Sequence, residues 1–505
     1  MHSYSNMALP RSGRRKGTIP TTSPCRDDHL ILSSGSAAKR PYLVFLSSSL
    51  LTERMLLHSS FLDAVREQAD VEIWSAAQSG ENADEGTSGI VKPMPEVDPF
   101  PEFPYAYLRR LDDFAWDVRL KTPSRVSMMQ HVRAKSLSLP LRALKAPASI
   151  IAALGLEHAY EQWLERVLLS RERSTEATAR LRVRRPDAVV ATGPQRYEEP
   201  AVIAAAKRMG IPTLTLITSW DNLSTKNRIP FSCDGYLVWS DRMRDELYAF
   251  YPLTRNRPVY KVGAPQFDAF FQPDLAQSRE SFCAQLKLNP NLPIVLYALG
   301  SPNFLKEHYG ALALADRIER GDLGDVQLLI RPHPIFDDGH EVAAFNRFGD
   351  RVRVQRTGRA GAPTATRSQS RSEIIEWVNS FRHADVVVNL SSTATVDAAI
   401  CDRPIVNLDY DPEPGQPNKL LVQDVNHLWT HFKPLAESGG LTLVRSLDQM
   451  VTAIKRYLAN PNLHREKRRW IAEYVCGFID GQCGKRLAEA AMDFVDERMP
   501  EALVV

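Results

Sequence analysis

A chain of 505 residues is too long for one ordinary domain and suits two or three, and its 44% hydrophobic content is that of a globular protein. A formal charge of +3 gives no global case for nucleic acid. No run approaches the roughly 20 apolar residues of a membrane span, and six scattered cysteines without a C-x-x-C argue against a disulfide framework or zinc site and for reduced, cytoplasmic thiols.

Residues 1–40 concentrate positive charge: Arg11, Arg14, Arg15, Lys16, Arg26, Lys39 and Arg40 stand against only Asp27 and Asp28. The segment is rich in Ser, Thr, Gly and Pro, has no structural period and lacks the apolar core of a secretory signal, so it reads as a disordered basic tail. Pro41–Leu46 reads as the first buried strand, Leu50–Gln68 as a helix and Val71–Trp74 as a second strand. Residues 76–104 read as a long acidic loop and 105–180 as mostly helical. Strands follow at Asp187–Thr192, Thr213–Thr218, Tyr236–Trp239 and Val259–Val262, with helices at Glu198–Met209 and Asp241–Phe250. The alternation restarts near Ser278: strands at Pro293–Leu299, Val326–Ile330, Val352–Gln355, Asp385–Leu390 and Ile405–Leu408, and helices at Lys306–Glu319, Glu373–Arg382 and Ala394–Ile400. Gly358–Arg371 reads as a loop, and Leu447–Leu458 and His464–Met499 as helical. The expected fold class is α/β: two facing, Rossmann-like, doubly wound parallel sheets. The expected domains are 41–272 with a helical insertion, 278–463, and helices over 464–505 that bridge them.

Several groups at strand ends carry chemistry. Arg331-Pro332-His333-Pro334 ends a strand, and its prolines fix where a phosphate-gripping guanidinium and a proton-handling imidazole point. Ser391, Ser392 and Thr393 open a helix at a strand's carboxyl end, an anion site by hydroxyls, N–H groups and dipole; the bland reading is an ordinary N-cap. Asp397, one turn on, suits a ribose or simply the helix start. Gly300-Ser301 allows close approach of a phosphate, or makes a tight turn. Ser219-Trp220-Asp221-Asn222 offers an aromatic for stacking on a sugar or base and a carboxylate base, with Lys226 and Arg228 as nearby positive charge; the alternative is an Asx-turn with a core Trp. Glu198 and Glu199 follow Gly193-Pro194 as base candidates or helix-favouring charges, and Asp409 and Asp411 as ribose ligands or loop acids. No Walker A, G-x-G-x-x-G, H-E-x-x-H or G-x-S-x-G is present.

LLIRPHP (Leu328–Pro334), VVVNLSSTATVDAAICDRPIVNLDYD (Val386–Asp411) and DGQCGKRLAEA (Asp480–Ala490) resemble the two-domain glycosyltransferases of the GT-B fold. The resemblance is to the group around CDP-glycerol glycerophosphotransferases and bacterial surface-polysaccharide transferases, and SWDNLSTKNRI (Ser219–Ile229), YLVWS (Tyr236–Ser240) and VGAPQFDAFF (Val262–Phe271) look like its first-domain signature. It covers roughly 187–490. It implies a metal-independent glycosyltransferase with no cofactor, which takes a nucleotide sugar or a CDP-polyol as co-substrate and a glycan or lipid-linked acceptor. The donor would meet Gly300, Ser301, Arg331, His333, Ser391, Ser392, Thr393 and Asp397; the acceptor would meet Gly193, Trp220 and Asn222. Asp221 or Glu198 would serve as base, and His333 would assist departure of the diphosphate. The implied setting is cytoplasmic, with peripheral contact at the inner face of the membrane and no nucleic acid. No basic amphipathic helix is evident outside the tail, which disfavours a teichoic-acid-type polymerase. A CDP-glycerol-type transferase, a nucleotide-sugar 2-epimerase and a non-catalytic nucleotide-sugar-binding protein are the alternatives.

Overall fold

The computed structural model describes residues 40–77, 89–97, 102–133, 137–195, 198–301, 304–333, 342–356 and 369–498. The basic tail through residue 39, much of the acidic loop, Pro334 and most of the Gly358–Arg371 loop lie outside them. Among the described residues thirteen strands form two sheets. The first holds β1 (Tyr42–Ser47), β2 (Asp70–Ser75), β3 (Val91–Pro93), β4 (Ala188–Ala191), β5 (Thr213–Leu216), β6 (Gly235–Val238) and β7 (Val259–Lys261) in the order β3-β2-β1-β4-β5-β6-β7. The second holds β8 (Ile294–Ala298), β9 (Gln327–Arg331), β10 (Val352–Val354), β11 (Val386–Asn389), β12 (Ile405–Leu408) and β13 (Thr442–Val444) in the order β10-β9-β8-β11-β12-β13. Every pairing is parallel. The α/β class and doubly wound topology are therefore as expected, and the strand order reverses between β1 and β4 and again between β8 and β11.

Burial on both faces explains the composition. β1 (YLVFLS) and β11 (VVVN) are buried at every position, as strands covered by helices on both sides must be. The covering helices used below are α1 (Leu50–Leu57), α2 (Phe61–Gln68), α3 (Tyr107–Leu120), α4 (Pro123–Met128), α5 (Lys145–Ala153), α6 (Glu157–Leu169), α7 (Glu198–Arg208), α8 (His308–Glu319), α9 (Arg371–His383), α10 (Thr393–Ile400), α11 (Lys419–His427), α12 (Arg465–Cys476) and α13 (Cys483–Asp496).

Two expected helices are each divided. Leu50–Gln68 breaks at His58–Ser60 because hydroxyls compete with the helical ladder: Ser59 Oγ donates to the Met55 carbonyl and accepts from the Phe61 N–H. Gly477, with φ of 75°, closes α12 and separates it from α13. These last helices return to the sheets: α12 packs on α10, and α13 packs on α2 and β6. Asp268 fastens the return by accepting from the N–H groups of Cys483 (3.0 Å) and Gly484 (2.7 Å) and the Ser60 hydroxyl (2.7 Å). Gly235 in β6 is required there, since a Cβ would sit 2.8 Å from the Phe494 ring. The five described cysteines are unpaired, and no described helix is long and apolar enough to cross a membrane.

Candidate active site

Residues beyond the carboxyl ends of one sheet touch those of the other. Arg54, one turn into the helix after β1, donates from Nε (3.0 Å) and Nη2 (2.7 Å) to Gln369 Oε1 at the start of α9. Trp220, four residues past β5, meets His431 edge-on at 4.9 Å between ring centroids and also packs on Phe432. The two carboxyl edges thus face one another, the arrangement in which open α/β sheets hold ligands.

The first edge is internally satisfied. Glu199, fully buried in the first turn of α7, accepts from the N–H groups of Thr192 (2.8 Å) and Gly193 (2.5 Å). A Cβ on Gly193 would lie 2.5 Å from Ser48 Oγ, so this glycine joins the β1 and β4 loops by close packing. The N–H of this expected acceptor contact is thus already bonded within the protein. Trp220 is 3% exposed and belongs to the seam between the sheets, because His431 and Phe432 cover its ring; it is not an open stacking platform. Asn222 is likewise buried, in the short turn it shares with Asp221. Burial alone would raise the Asp221 carboxyl, yet Lys226, His431 and hydrogen bonds from Ser219 and Thr225 hold it below its usual range, which makes it a weak base. Arg228 supplies no charge to this edge: it lies between the Trp116 and Tyr251 rings and pairs with Glu161 at 2.6 Å. Glu198, half-buried at the start of α7, is the remaining base candidate on this edge.

The second edge is built around Glu307. Its carboxylate accepts from Gly300 N–H after β8 (2.5 Å) and Leu390 N–H after β11 (2.8 Å), spanning the point where strand order reverses. The Gly300 N–H is therefore spent on a carboxylate, which corrects its reading as a phosphate donor, and Ser301 turns the chain by accepting from Phe304 N–H. Beside it, buried Asn389 and Asn407 bond each other (3.2 Å) and Thr395. Ser392 caps α10 and donates to Asn389, while Ser391 donates to Asn426. Two of the three expected hydroxyls thus have protein partners, and Thr393 is the exposed one, at the helix start where the dipole favours an anion.

Arg331 is buried at the end of β9 and donates to Gln355 Oε1 at 2.7 Å. Among the described residues neither Arg331 nor Arg54 has a carboxylate within ion-pair distance. Burial pulls both guanidiniums down to about 10, against the upward pull of Asp397 and Glu373 on each. Asp397 lies within electrostatic reach of both and leaves Oδ1 without a hydrogen-bond partner at 6% exposure. Burial pushes its carboxyl up to about 7. Arg54 also covers the Trp377 ring at 3.8 Å, so the first lobe's guanidinium reaches across to the second lobe. Sequence reading missed Arg54: on an amphipathic helix it resembles any solvated cation. Burial holds His333 down to about 4, so its imidazole is in the neutral form near pH 7. Asp409 and Asp411 are structural: Asp409 is buried against His427 and Arg445, and Asp411 accepts from the N–H groups of Glu413 and Asn418.

No family model and no curated protein sequence matches the chain. Solved structures do. The Staphylococcus aureus MnaA–UDP co-structure superposes with a TM-score of 0.53 at 10% identity, over 90% of this chain and 97% of that one. A putative UDP-N-acetylglucosamine 2-epimerase from Listeria monocytogenes superposes with a TM-score of 0.50 at 13% identity, over 93% of this chain and all of that one. Identities this low speak to architecture alone, and with the two reversed parallel sheets they establish that this chain has the GT-B fold.

Proposed function

We propose that the protein binds a nucleotide-diphosphate sugar between the facing carboxyl edges and transfers the sugar to an acceptor hydroxyl. The observation that carries this reading is the pair Arg54 and Arg331, two guanidiniums satisfied by glutamine amides rather than carboxylates. Such a pair is arranged for an incoming diphosphate. In the transfer, the acceptor oxygen bonds to the anomeric carbon and its proton passes to Glu198. The bond from that carbon to the diphosphate breaks, and the diphosphate leaves with the electron pair. Arg54, Arg331 and the α10 start stabilise the charge that develops, and neutral His333 donates a hydrogen bond. Asp397 suits the ribose hydroxyls.

A panel of UDP, CDP, GDP and TDP and their sugars in thermal-shift assays tests the site. If no member raises the melting temperature, the reading fails. A second reading, a nucleotide-sugar 2-epimerase, draws support from the architecture shared with the Listeria monocytogenes neighbour. Product analysis separates the two: an epimerase converts its sugar without an acceptor, whereas a transferase product contains one. A preference for CDP-polyols would indicate glycerophosphotransfer, and tight binding without turnover would indicate a non-catalytic protein.

A further inference from the structure

Helix α4 straddles the seam between the lobes: it packs on the Asn222–Thr225 turn of the first and on α11 of the second. Its residues divide by side. Arg125 is buried toward the first lobe, where it donates to the Asp117 carboxylate and the Lys226 carbonyl. Ser124 and Ser127 of α4, and His131 in the turn that follows, meet the second lobe; spacings of three and four residues put them on one face. Ser124 Oγ accepts from the Thr430 N–H at 2.7 Å and donates to the Thr430 hydroxyl at 3.2 Å. Ser127 Oγ accepts from Trp429 Nε1 at 3.0 Å, and His131 Nε2 donates to Asp424 Oδ2 at 3.1 Å. The segment they hold is fastened to its own lobe, because Asn426 accepts from the Ser391 hydroxyl and donates to the Leu408 carbonyl at 2.9 Å. The same segment carries His431 and Phe432, the rings that cover Trp220.

We propose that α4 is a catch that holds the first sheet's carboxyl edge shut and releases to admit the acceptor. The chemistry of its two sides differs. Toward the first lobe it is fixed by a buried guanidinium that cannot leave its carboxylate without a large desolvation cost. Toward the second lobe its contacts are hydroxyl, indole and imidazole hydrogen bonds, which exchange for bonds to water at little net cost. Polar contacts of that kind belong to domain faces that part and rejoin. While the catch is shut, Trp220 and Asn222 are buried and no acceptor reaches them. Parting α4 from residues 424–430 draws His431 and Phe432 off the Trp220 ring and uncovers that edge. The release is independent of the transferase reading; that an acceptor enters by it rests on that reading.

The test is hydrogen exchange of the full chain with no ligand added, so its outcome stands whether or not any nucleotide binds. Residues 219–225 and 428–432 are expected to exchange together and faster than strands β5 and β11, as a sub-global opening does. Ser124→Ala with Ser127→Ala should raise exchange in both segments by roughly tenfold or more while β5 and β11 stay protected. A second variant works in the opposite direction. The hydroxyl oxygens of Ser124 and Thr430 lie 3.2 Å apart, so Ser124→Cys with Thr430→Cys brings two thiols within reach of a disulfide. Oxidised, this variant should slow exchange at residues 219–225 by roughly tenfold or more, and dithiothreitol should return it to the wild-type rate. Wild-type segments that exchange only as slowly as β5 overturn the proposal, since the seam would then be permanent. An alanine variant that exchanges at the wild-type rate overturns it too, as does one in which β5 and β11 lose protection equally, which would make α4 a structural brace. An oxidised cross-link that leaves residues 219–225 unprotected places the opening elsewhere and is equally fatal.

Discussion

The two sheets share a strand order, and each fixes its reversal point with a buried glutamate, Glu199 in the first lobe and Glu307 in the second. Beyond that device their carboxyl edges differ. The first is closed upon itself, with Gly193 against Ser48 and Trp220 beneath the rings of the second lobe. The second keeps Arg331, a helix start and an incompletely bonded carboxylate, and draws Arg54 across from the first. One topology therefore serves two ends: a packed scaffold that lends one guanidinium, and a less fully bonded edge that collects it.

The sharpest way to break this parallel is to remove the glutamates. Glu307→Ala leaves two backbone N–H groups without their acceptor and should cost roughly 3 to 5 kcal/mol in urea denaturation, and Glu199→Ala a comparable amount. A difference of several kcal/mol between the two would show that the clips are not equivalent. Titration of Asp397 is expected to have the next largest effect. A carboxyl raised to about 7 holds its proton more tightly folded than unfolded, so wild-type stability declines as pH climbs from the unfolded carboxyl value near 4 toward 7 and levels above it. Asp397→Asn has no such proton to lose, and by pH 8 it should be the more stable protein by a few kcal/mol at most. Superimposable pH curves for the two proteins would mean that Asp397 titrates normally. For the less fully bonded edge, Arg54→Ala should weaken nucleotide-diphosphate binding about tenfold or more by calorimetry; an unchanged Kd would confine the site to the second lobe. The smallest effect is expected at His333. Already neutral, it should put no break in the rate profile between about pH 5.5 and 7.5, and a break abolished by His333→Asn would indicate a proton-transfer role.

The strands were legible because helix-covered parallel strands must be nearly continuous runs of valine, leucine and isoleucine, as at Val386–Val388. The α10 start was legible from Ser392, whose capping is a local bond. What escaped were long-range pairings. Nothing near Glu307 announces that it will take N–H groups from two separate loops, and nothing near Trp220 says that His431 will cover it.

The Asp268 fastening of α13 also orders the protein's synthesis. Sheet one is laid down by Lys261, but the ring that fills the space beside Gly235 belongs to Phe494, and the N–H groups that satisfy Asp268 belong to Cys483 and Gly484. The lobe that leaves the ribosome first is therefore sealed last, after the whole second sheet has been made. A chain stalled before residue 483 would present a finished second lobe beside an open first one, a natural substrate for a chaperone.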